Sequence, residues 1–112
     1  MFVAITINGR NFIIDRHLIT IGTVNCCMIS PRECFRHAIM DAAVGIILCH
    51  NHPSGDPSPS SEDVHITKQL VEAGKILDIK VVDHIVIGKR ERQDAKGYVS
   101  MRECGVVQFD NM

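Results

Sequence analysis

The chain has 112 residues, of which 46% are hydrophobic and 22% charged, and its formal net charge is -1. This length fits one small domain, and this composition excludes a disordered chain. The near-zero charge excludes a strongly basic surface that would bind nucleic acid non-specifically. DNA binding would need a local patch. The one notable cationic run, residues 89–96, alternates with acidic residues as a solvated loop does.

The cysteines and the N-terminus indicate the compartment. Five cysteines include no CxxC pair, and their odd number argues against the disulfide framework of a secreted protein. We interpret them as reduced, mostly buried thiols. The N-terminus lacks a charged segment that leads into a long apolar one, and no apolar run approaches the roughly 20 residues that span a bilayer. A cytoplasmic location is therefore expected.

The N-terminal segment has the pattern of β-structure. Residues 2–7 alternate apolar with small or polar side chains, Asn8-Gly9 suits a type I′ turn, and residues 11–14 resume the β-rich pattern. This order predicts a β-hairpin. The β-branched stretch 17–24 predicts a further strand.

A helix is predicted to follow at Ser30. Ser30 can cap it, Pro31 suits the first helical position, and Glu33 would complete a capping box. The helix is expected to end near Met40. Its predicted inner face consists of Cys34, Phe35, Ala38 and Ile39.

The central segment predicts a strand, a loop and a second helix. Residues 43–49 form a short continuous apolar run, as expected of a strand buried on both faces, and His50 ends it. Residues 51–61 are rich in Pro, Gly and Ser and therefore form a loop. From Ser60 to about Ile76, apolar residues recur at helical spacing.

The C-terminal third predicts more β-structure. Two β-branched runs flank Asp83-His84 within residues 78–88, and residues 97–109 suggest a terminal strand or hairpin. The predicted order βββ-α-β-α-ββ indicates an α/β or α+β fold in which helices flank a mixed sheet. We find no internal repeat or domain boundary, so residues 1–112 are interpreted as one domain.

The strongest candidate for chemistry is His50-x-His52 with Asp63. Two histidines one residue apart on an extended backbone point to the same side, so both imidazoles can reach one ion. Asp63 falls in the first turn of the next helix, where the helix dipole favours negative charge. Two imidazoles and a carboxylate leave a fourth position open for water, as in catalytic zinc sites. Two simpler interpretations stay open: exposed polar histidines, and a Ser60–Asp63 pair that only caps the helix.

The spacing His50-x-His52-x7-Ser60-x2-Asp63 resembles the core motif of the JAMM (MPN-type) metalloproteases. The fuller string His50-Asn51-His52-Pro53-Ser54-Gly55 is similar to the RadC branch of that group. The similarity extends over nearly the whole chain, from Phe2 to Val107. Its further positions include Gly22-Thr23, Pro31-Arg32-Glu33, Phe35, Ala38, Thr67, Ala73-Gly74, Asp83-His84-Ile85, Ile87-Gly88, Tyr98, Ser100 and Gly105.

The resemblance implies a JAB/MPN architecture, similar to that of cytidine deaminases, and a zinc ion held by His50, His52 and Asp63. It further implies that Ser60 donates a hydrogen bond to the oxyanion formed when metal-bound water attacks a carbonyl. Another divalent ion would also suit these ligands. Ser60 is thus the candidate catalytic residue, and whether it caps the helix, serves the oxyanion or does both stays open.

The chain departs from the family pattern at two places. The resemblance places a proton-carrying Glu just ahead of Phe2, where Met1 stands. A trimmed chain, a late start codon and a domain without this base are all consistent with Met1. The family's helical N-terminal region is also expected to be absent. Glu33 and Glu62 are interpreted as structural rather than as substitute bases.

The remaining histidines and Cys49 carry weaker signals. His84 is expected to be a buried, hydrogen-bonded residue at a strand end. His17, His37 and His65 have no supporting context in the sequence. Alternation along the strand is expected to turn Cys49 away from the metal face and into the core.

Three functions follow as hypotheses. The first is a zinc-dependent hydrolase domain that cleaves peptide or isopeptide bonds, as the resemblance implies. The second is a non-catalytic metal-binding module for partner recognition, favoured by the missing Glu. The third is a DNA-repair accessory or metal-dependent nuclease, which the family association suggests and the near-neutral charge disfavours.

Overall fold

The computed structural model describes residues 2–19, 30–52, 55–89 and 97–109. Within these ranges the elements are β1 (Phe2–Ile7), β2 (Ile13–Ile19), α1 (Pro31–Met40), β3 (Gly45–Asn51), α2 (Ser61–Leu77), β4 (Lys80–Ile87), β5 (Tyr98–Ser100) and α3 (Met101–Cys104). The strands form one sheet in the order β2-β1-β3-β4-β5. β3 and β4 are parallel, and the other neighbouring pairs are antiparallel. The mixed sheet with helices confirms the predicted α+β class.

The predicted hairpin is present with a different turn. The amide of Asn8 donates to the carbonyl of Phe12 (2.9 Å), and the Asn8 carboxamide accepts from the amides of Arg10 and Phe12. Asn11 adopts a positive φ of 63°, which Asn tolerates better than most residues. The predicted two-residue turn at Asn8-Gly9 is therefore wrong. β2 begins at Ile13 and runs without a break to Ile19, so the two predicted strands are one, and residues 20–24 lie outside the described residues.

Helix α1 begins where the sequence predicts, but without the predicted capping box. Ser30 is the N-cap and Pro31 the first helical residue, yet the Ser30 side chain makes no capping bond. Glu33 pairs with Arg36 at 3.0 Å on the helix surface instead. Cys34, Phe35 and Ala38 are buried as predicted, whereas Ile39 is 59% exposed. Ile39 lies about 100° around the helix from Ala38, which turns it out of the buried stripe.

The core lies between the sheet and the two longer helices. β3 contributes Ile46 and Leu48, and α2 contributes Leu70 and Val71, all fully or nearly fully buried. Gly74 of α2 lies so close to the carbonyl of Ile79 that a Cβ there would meet its oxygen at 2.3 Å. A glycine is therefore needed where the chain leaves α2 and enters β4.

The C-terminal elements differ from the prediction. β4 is one strand rather than two runs, with a register irregularity opposite Ile46 and Ile47. His84 therefore lies inside the strand and not at its end, although its predicted burial is confirmed. The predicted terminal strand or hairpin is a three-residue strand followed by the helical turn α3, whose N-cap Ser100 accepts from the amide of Glu103.

The described cysteines, Cys34, Cys49 and Cys104, are free thiols. Cys34 is buried, and burial raises its pKa to about 12. Cys49 is part-buried, and Cys104 is exposed, so the expectation of mostly buried thiols is wrong for Cys104. None of the described helices is both long enough and apolar enough to cross a membrane. The cytoplasmic location stays a prediction.

Candidate metal centre

The candidate centre lies where the parallel strands β3 and β4 end and α2 begins. His50 is the penultimate residue of β3, and His52 follows the strand directly. The amide of His52 donates to the carbonyl of Ile87 at 2.9 Å, so the chain stays attached to β4 beyond the last residue of β3. Asp63 is the third residue of α2. The C-terminal end of β3 therefore positions His50 and His52, and the N-terminus of α2 positions Asp63.

The three side chains converge. Nε2 of His50 lies 3.3 Å from Oδ1 of Asp63, and Nε2 of His52 lies 2.8 Å from Oδ2 of the same carboxylate. All three candidate ligand atoms lie within 4.8 Å of one another. Their side chains are between 11% and 18% exposed. The site is thus shielded but still reached by solvent, as an exchangeable fourth ligand requires.

The second ring nitrogen of His50 is held by a buried chain of hydrogen bonds. Nδ1 of His50 lies 2.8 Å from Nε2 of His84, and Nδ1 of His84 lies 2.5 Å from Oγ1 of Thr67. The Thr67 hydroxyl in turn lies 2.6 Å from the carbonyl oxygen of Asp63. A carbonyl oxygen only accepts, so Thr67 donates to Asp63 and accepts from Nδ1–H of His84.

This polarity fixes the tautomer of His50. With its proton on Nδ1, His84 presents an unprotonated Nε2, which accepts from Nδ1–H of His50. The Nε2 lone pair of neutral His50 therefore points toward Asp63. Burial lowers the pKa of His84 to about 3, with the charge of a protonated His50 acting in the same direction, so His84 is neutral at physiological pH.

His52 is oriented in the same sense by the loop. Its Nδ1 lies 2.9 Å from the carbonyl oxygen of Asp56, which again can only accept. Neutral His52 therefore carries its proton on Nδ1 and directs the Nε2 lone pair at the Asp63 carboxylate. The loop itself is held close to β4, because Lys89 donates its amide to the carbonyl of Gly55 and a Cβ on Gly88 would meet that same oxygen at 2.2 Å.

The donor set fits a divalent cation. Two imidazole lone pairs and one carboxylate face one another at hydrogen-bond distance, and all three are acceptors when both histidines are neutral. Acceptors that face each other repel unless a proton or a metal ion lies between them. The outer nitrogens are also bonded to fixed partners, as is usual for histidines that bind metals. The group present here is therefore suited to a metal ion.

Ser60 and Asp63 form a complete capping box. The Ser60 hydroxyl accepts from the amide of Asp63 (3.1 Å), and the Asp63 carboxylate accepts from the amide of Ser60 (2.9 Å). Burial raises the pKa of Asp63, but the adjacent His50 ring and the hydrogen bonds with Ser60 outweigh it and hold that pKa well below its usual range. The carboxylate is consequently ionised, and the helix start aims it at the histidines.

Phe2 forms the apolar side of the centre. It is fully buried and pairs with His50 across β1 and β3. Its ring stacks on that of His50 (5.5 Å between centroids, 23° between planes) and meets the ring of His84 edge-on. Phe2 thereby keeps water from one side of both imidazoles. Its role was not foreseen, because cross-strand register is not written in the sequence.

The remaining cysteine, glutamate and histidine candidates from the sequence lie apart from this group. Cys49 is part-buried and, by alternation along β3, faces away from the His50 side of the sheet, as expected. The expectation that it enters the core is wrong, because the core residues of β3, Ile46 and Leu48, lie on the His50 side. Glu62 is exposed on the first turn of α2, and Glu33 is bound to Arg36 on α1. His65 is exposed. His17 and His37, which have no supporting context in the sequence, stack their rings on each other with centroids 4.2 Å apart.

Together, the fold and these residues define an α+β domain of the JAB/MPN class. The family model described as RadC-like JAB domain matches residues 1–106. The chain belongs to the RadC-like JAB domain family. JAB domains are often metal-dependent hydrolases.

The chain is also similar in sequence to named bacterial proteins. The chain is 50% identical over 109 residues to a UPF0758 protein of Caldanaerobacter subterraneus subsp. tengcongensis, covering 97% of the chain and 44% of that protein. It is 46% identical over 106 residues to a UPF0758 protein of a Geobacillus species, covering 95% of the chain and again 44% of the relative. The chain therefore spans less than half the length of these relatives.

Proposed function

We propose that this chain is a zinc-dependent hydrolase domain that cleaves an amide bond of the peptide or isopeptide type. The observation that carries the proposal is the convergence of His50, His52 and Asp63 on one point, with both Nε2 lone pairs directed inward. Three protein ligands are the number found in catalytic zinc sites, whereas structural zinc sites usually have four. Membership of the RadC-like JAB family supports the same chemistry.

The residues of this chain would hold the ion and prepare its surroundings. When bound, zinc supplies a Lewis acid that acidifies water to a pKa of about 7 and polarises a carbonyl group. His84 and the carbonyl of Asp56 hold the two histidine rings in orientation, and Phe2 excludes water from one side of the His50 ring. Asp63 contributes the negative charge that the two neutral imidazoles lack.

We infer that Ser60 stabilises negative charge on the substrate. Its hydroxyl oxygen accepts from the amide of Asp63, and a hydroxyl that accepts one hydrogen bond can still donate its own proton. The residue is exposed at the N-terminus of α2, where the helix dipole also favours an anion. Ser60 would therefore act as both cap and oxyanion donor.

The resemblance predicts a Glu ahead of Phe2, and Phe2 lies directly opposite His50 in the sheet. The start of β1 therefore lies beside the candidate centre, which supports the proposal. Position 1 itself lies outside the described residues.

A second candidate function is a non-catalytic metal-binding module that recognises a partner. It is favoured by the composition of the described centre, in which Asp63 is the single carboxylate grouped with His50 and His52. With that carboxylate serving as ligand, the described group has no separate base. This candidate predicts stoichiometric zinc and no turnover.

One experiment separates the two candidates. The purified chain is dialysed against zinc, its metal content is measured by elemental analysis, and it is assayed on quenched peptide and isopeptide substrates beside Asp63→Asn. The hydrolase predicts one zinc at the centre and turnover that Asp63→Asn abolishes. Zinc without turnover, even when Glu is placed ahead of Phe2, would favour the module. Failure of the wild-type centre to bind zinc would contradict both.

A further inference from the structure

A second group of metal-ligating side chains lies on the edge of the sheet. Asp15 and His17 lie on β2, and Asp41 is the C-cap residue of α1. We call these three residues the edge-strand cluster. Asp15 and His17 are separated by one residue, so strand alternation places both side chains on the same face. That face is the one covered by α1, because His17 pairs with the fully buried Ala4 and contacts Asp41.

The donor atoms of the edge-strand cluster converge. Nε2 of His17 lies 2.7 Å from Oδ2 of Asp41 and 4.0 Å from Oδ2 of Asp15. The three candidate ligand atoms lie within 4.8 Å of one another, as they do at the first centre. Asp15 is largely exposed, while His17 and Asp41 have side chains that are 19% and 18% exposed. The group is thus a half-shielded pocket that opens toward solvent.

Neighbouring residues hold two of these side chains in place. The fully buried Thr6 donates its hydroxyl to Oδ2 of Asp41 at 2.7 Å. The ring of His17 stacks on that of His37, with 15° between their planes. An exposed ion pair between long side chains would have neither such a buried hydrogen-bond donor nor such a stacked ring to fix its geometry. Both orientations are therefore set by the fold before any ion arrives.

The charges of the cluster do not balance. Hydrogen bonds from His17 and Thr6 lower the pKa of Asp41, so this carboxylate is ionised at neutral pH. Within the described residues, the ion pairs of Asp15 and Asp41 are all made with His17. Two carboxylates thus share one imidazole. A divalent cation would compensate both carboxylates.

The cluster is separate from the first centre. Phe2 of β1 pairs with His50, whereas Thr6 of the same strand pairs with Asp15. Four residues along a strand correspond to roughly 13 Å. The two groups therefore lie toward opposite ends of β1 and share no residue.

We propose that Asp15, His17 and Asp41 form a second divalent-cation site. One imidazole and two carboxylates are a harder donor set than two imidazoles and one carboxylate. The site should accordingly take Mn²⁺ or Zn²⁺, with Mn²⁺ relatively better accepted here than at the first centre. The sites are independent, so this proposal does not rest on the hydrolase function.

Metal stoichiometry and position test the proposal. The chain, stripped of metal, is titrated with Mn²⁺ and with Zn²⁺, and bound ions are counted by equilibrium dialysis and elemental analysis. Amide NMR signals are followed during the Mn²⁺ titration, because this paramagnetic ion broadens signals of nearby residues. We expect two ions per wild-type chain and one in His52→Gln. Broadening in His52→Gln should centre on Thr6, Arg16 and Asp41.

Asp41→Asn supplies the matched variant. Its carboxamide oxygen can still accept from Thr6, so the fold is retained while the charge is lost. We expect Asp41→Asn to bind one ion, at the first centre, and the exposed control His65→Gln to bind two. One ion in wild type and none in His52→Gln would overturn the proposal and leave a plain His17–Asp41 ion pair. A second ion retained by Asp41→Asn would also overturn it, whereas loss of binding at the first centre alone would count only against the hydrolase.

Discussion

Nδ1 of His50 lies 2.8 Å from Nε2 of His84, a ring with none of its surface exposed. The Thr67 hydroxyl, on the far side of His84, bonds to the carbonyl of Asp63, so one continuous chain of hydrogen bonds links two of the candidate ligands. The carbonyl oxygen of Asp63 can only accept, and this fixes the direction of every hydrogen bond in the chain. His84 is thus a positioning residue that keeps the Nε2 lone pair of His50 available.

Removing the His84 ring, which accepts from Nδ1–H of His50, should weaken metal binding. We expect His84→Leu to lower zinc affinity about 10- to 100-fold, as losses of such partners of metal-bound histidines do. His84→Gln can offer its side-chain oxygen to Nδ1–H of His50 and should recover part of the affinity. Competition with a chromophoric chelator measures the affinity, and the nitrogen shifts of the His50 ring report its tautomer.

A general loss of stability must be distinguished from this effect. Val81 is fully buried on the same strand and belongs to the core, so Val81→Ala should destabilise the fold and leave zinc affinity unchanged. Equal losses of affinity in His84→Leu and Val81→Ala would show that His84 acts only through folding.

Metal removal should destabilise the protein. A ligand that binds only the folded state adds about 2.7 kcal/mol to the free energy of unfolding at a hundredfold excess over its dissociation constant. Zinc should therefore raise the melting temperature, and a chelator should reverse the rise. Asp63→Asn should lose the part of this rise that comes from the first centre, because only the two imidazoles remain there as ligands.

A second aspartate of the same helix provides the control for the zinc effect. Asp78 is exposed and caps the C-terminus of α2 at a φ of 59°, a conformation that Asn also adopts readily. Asp78→Asn should respond to zinc as the wild type does. If Asp63→Asn kept the full zinc-dependent rise, Asp63 would not be a ligand.

The sequence predicted the elements and the candidate residues far better than the contacts between them. Strand alternation and the capping pattern were sufficient to bring His50, His52 and Asp63 to one region. The contacts of His84 and Phe2 with His50 were not predicted, because they depend on which strands pair and in which register. Likewise, His17 and Asp41 are 24 residues apart, and only the packing of α1 on β2 brings them together.

Ser60 should have separable structural and catalytic effects. Replacing a serine cap with Ala costs about 1 kcal/mol of stability, whereas replacement with Gly costs only a few tenths. Both substitutions remove the hydroxyl, so both should lower turnover by about 10²- to 10³-fold if it serves the oxyanion. Thermal unfolding and kcat are compared for the two variants. Wild-type turnover in a well-folded Ser60→Gly would restrict Ser60 to capping.

Thiol reactivity should follow burial. Burial raises the pKa of Cys34 to about 12, and the thiolate is the reactive form, so Cys34 should stay unmodified by a maleimide at pH 8. The exposed Cys104 should react before Cys34. Peptide mapping by mass spectrometry assigns each site, and denaturant should make the two equally reactive. Rapid labelling of Cys34 in the folded protein would contradict the packing of α1.

A carboxylate ahead of Phe2 should raise turnover without changing metal affinity. Phe2 lies opposite His50 in the sheet, and the family resemblance predicts a Glu at the position that precedes it. We therefore expect Met1→Glu, made in a chain with an added initiating methionine, to exceed Met1→Gln in kcat by about 10²- to 10⁴-fold, the range for general acid–base catalysis. The two variants have nearly the same size, so they differ chiefly in the ability to carry a proton. Equal kcat values with normal zinc content would show that this position is not the proton carrier and would strengthen the case for a non-catalytic module.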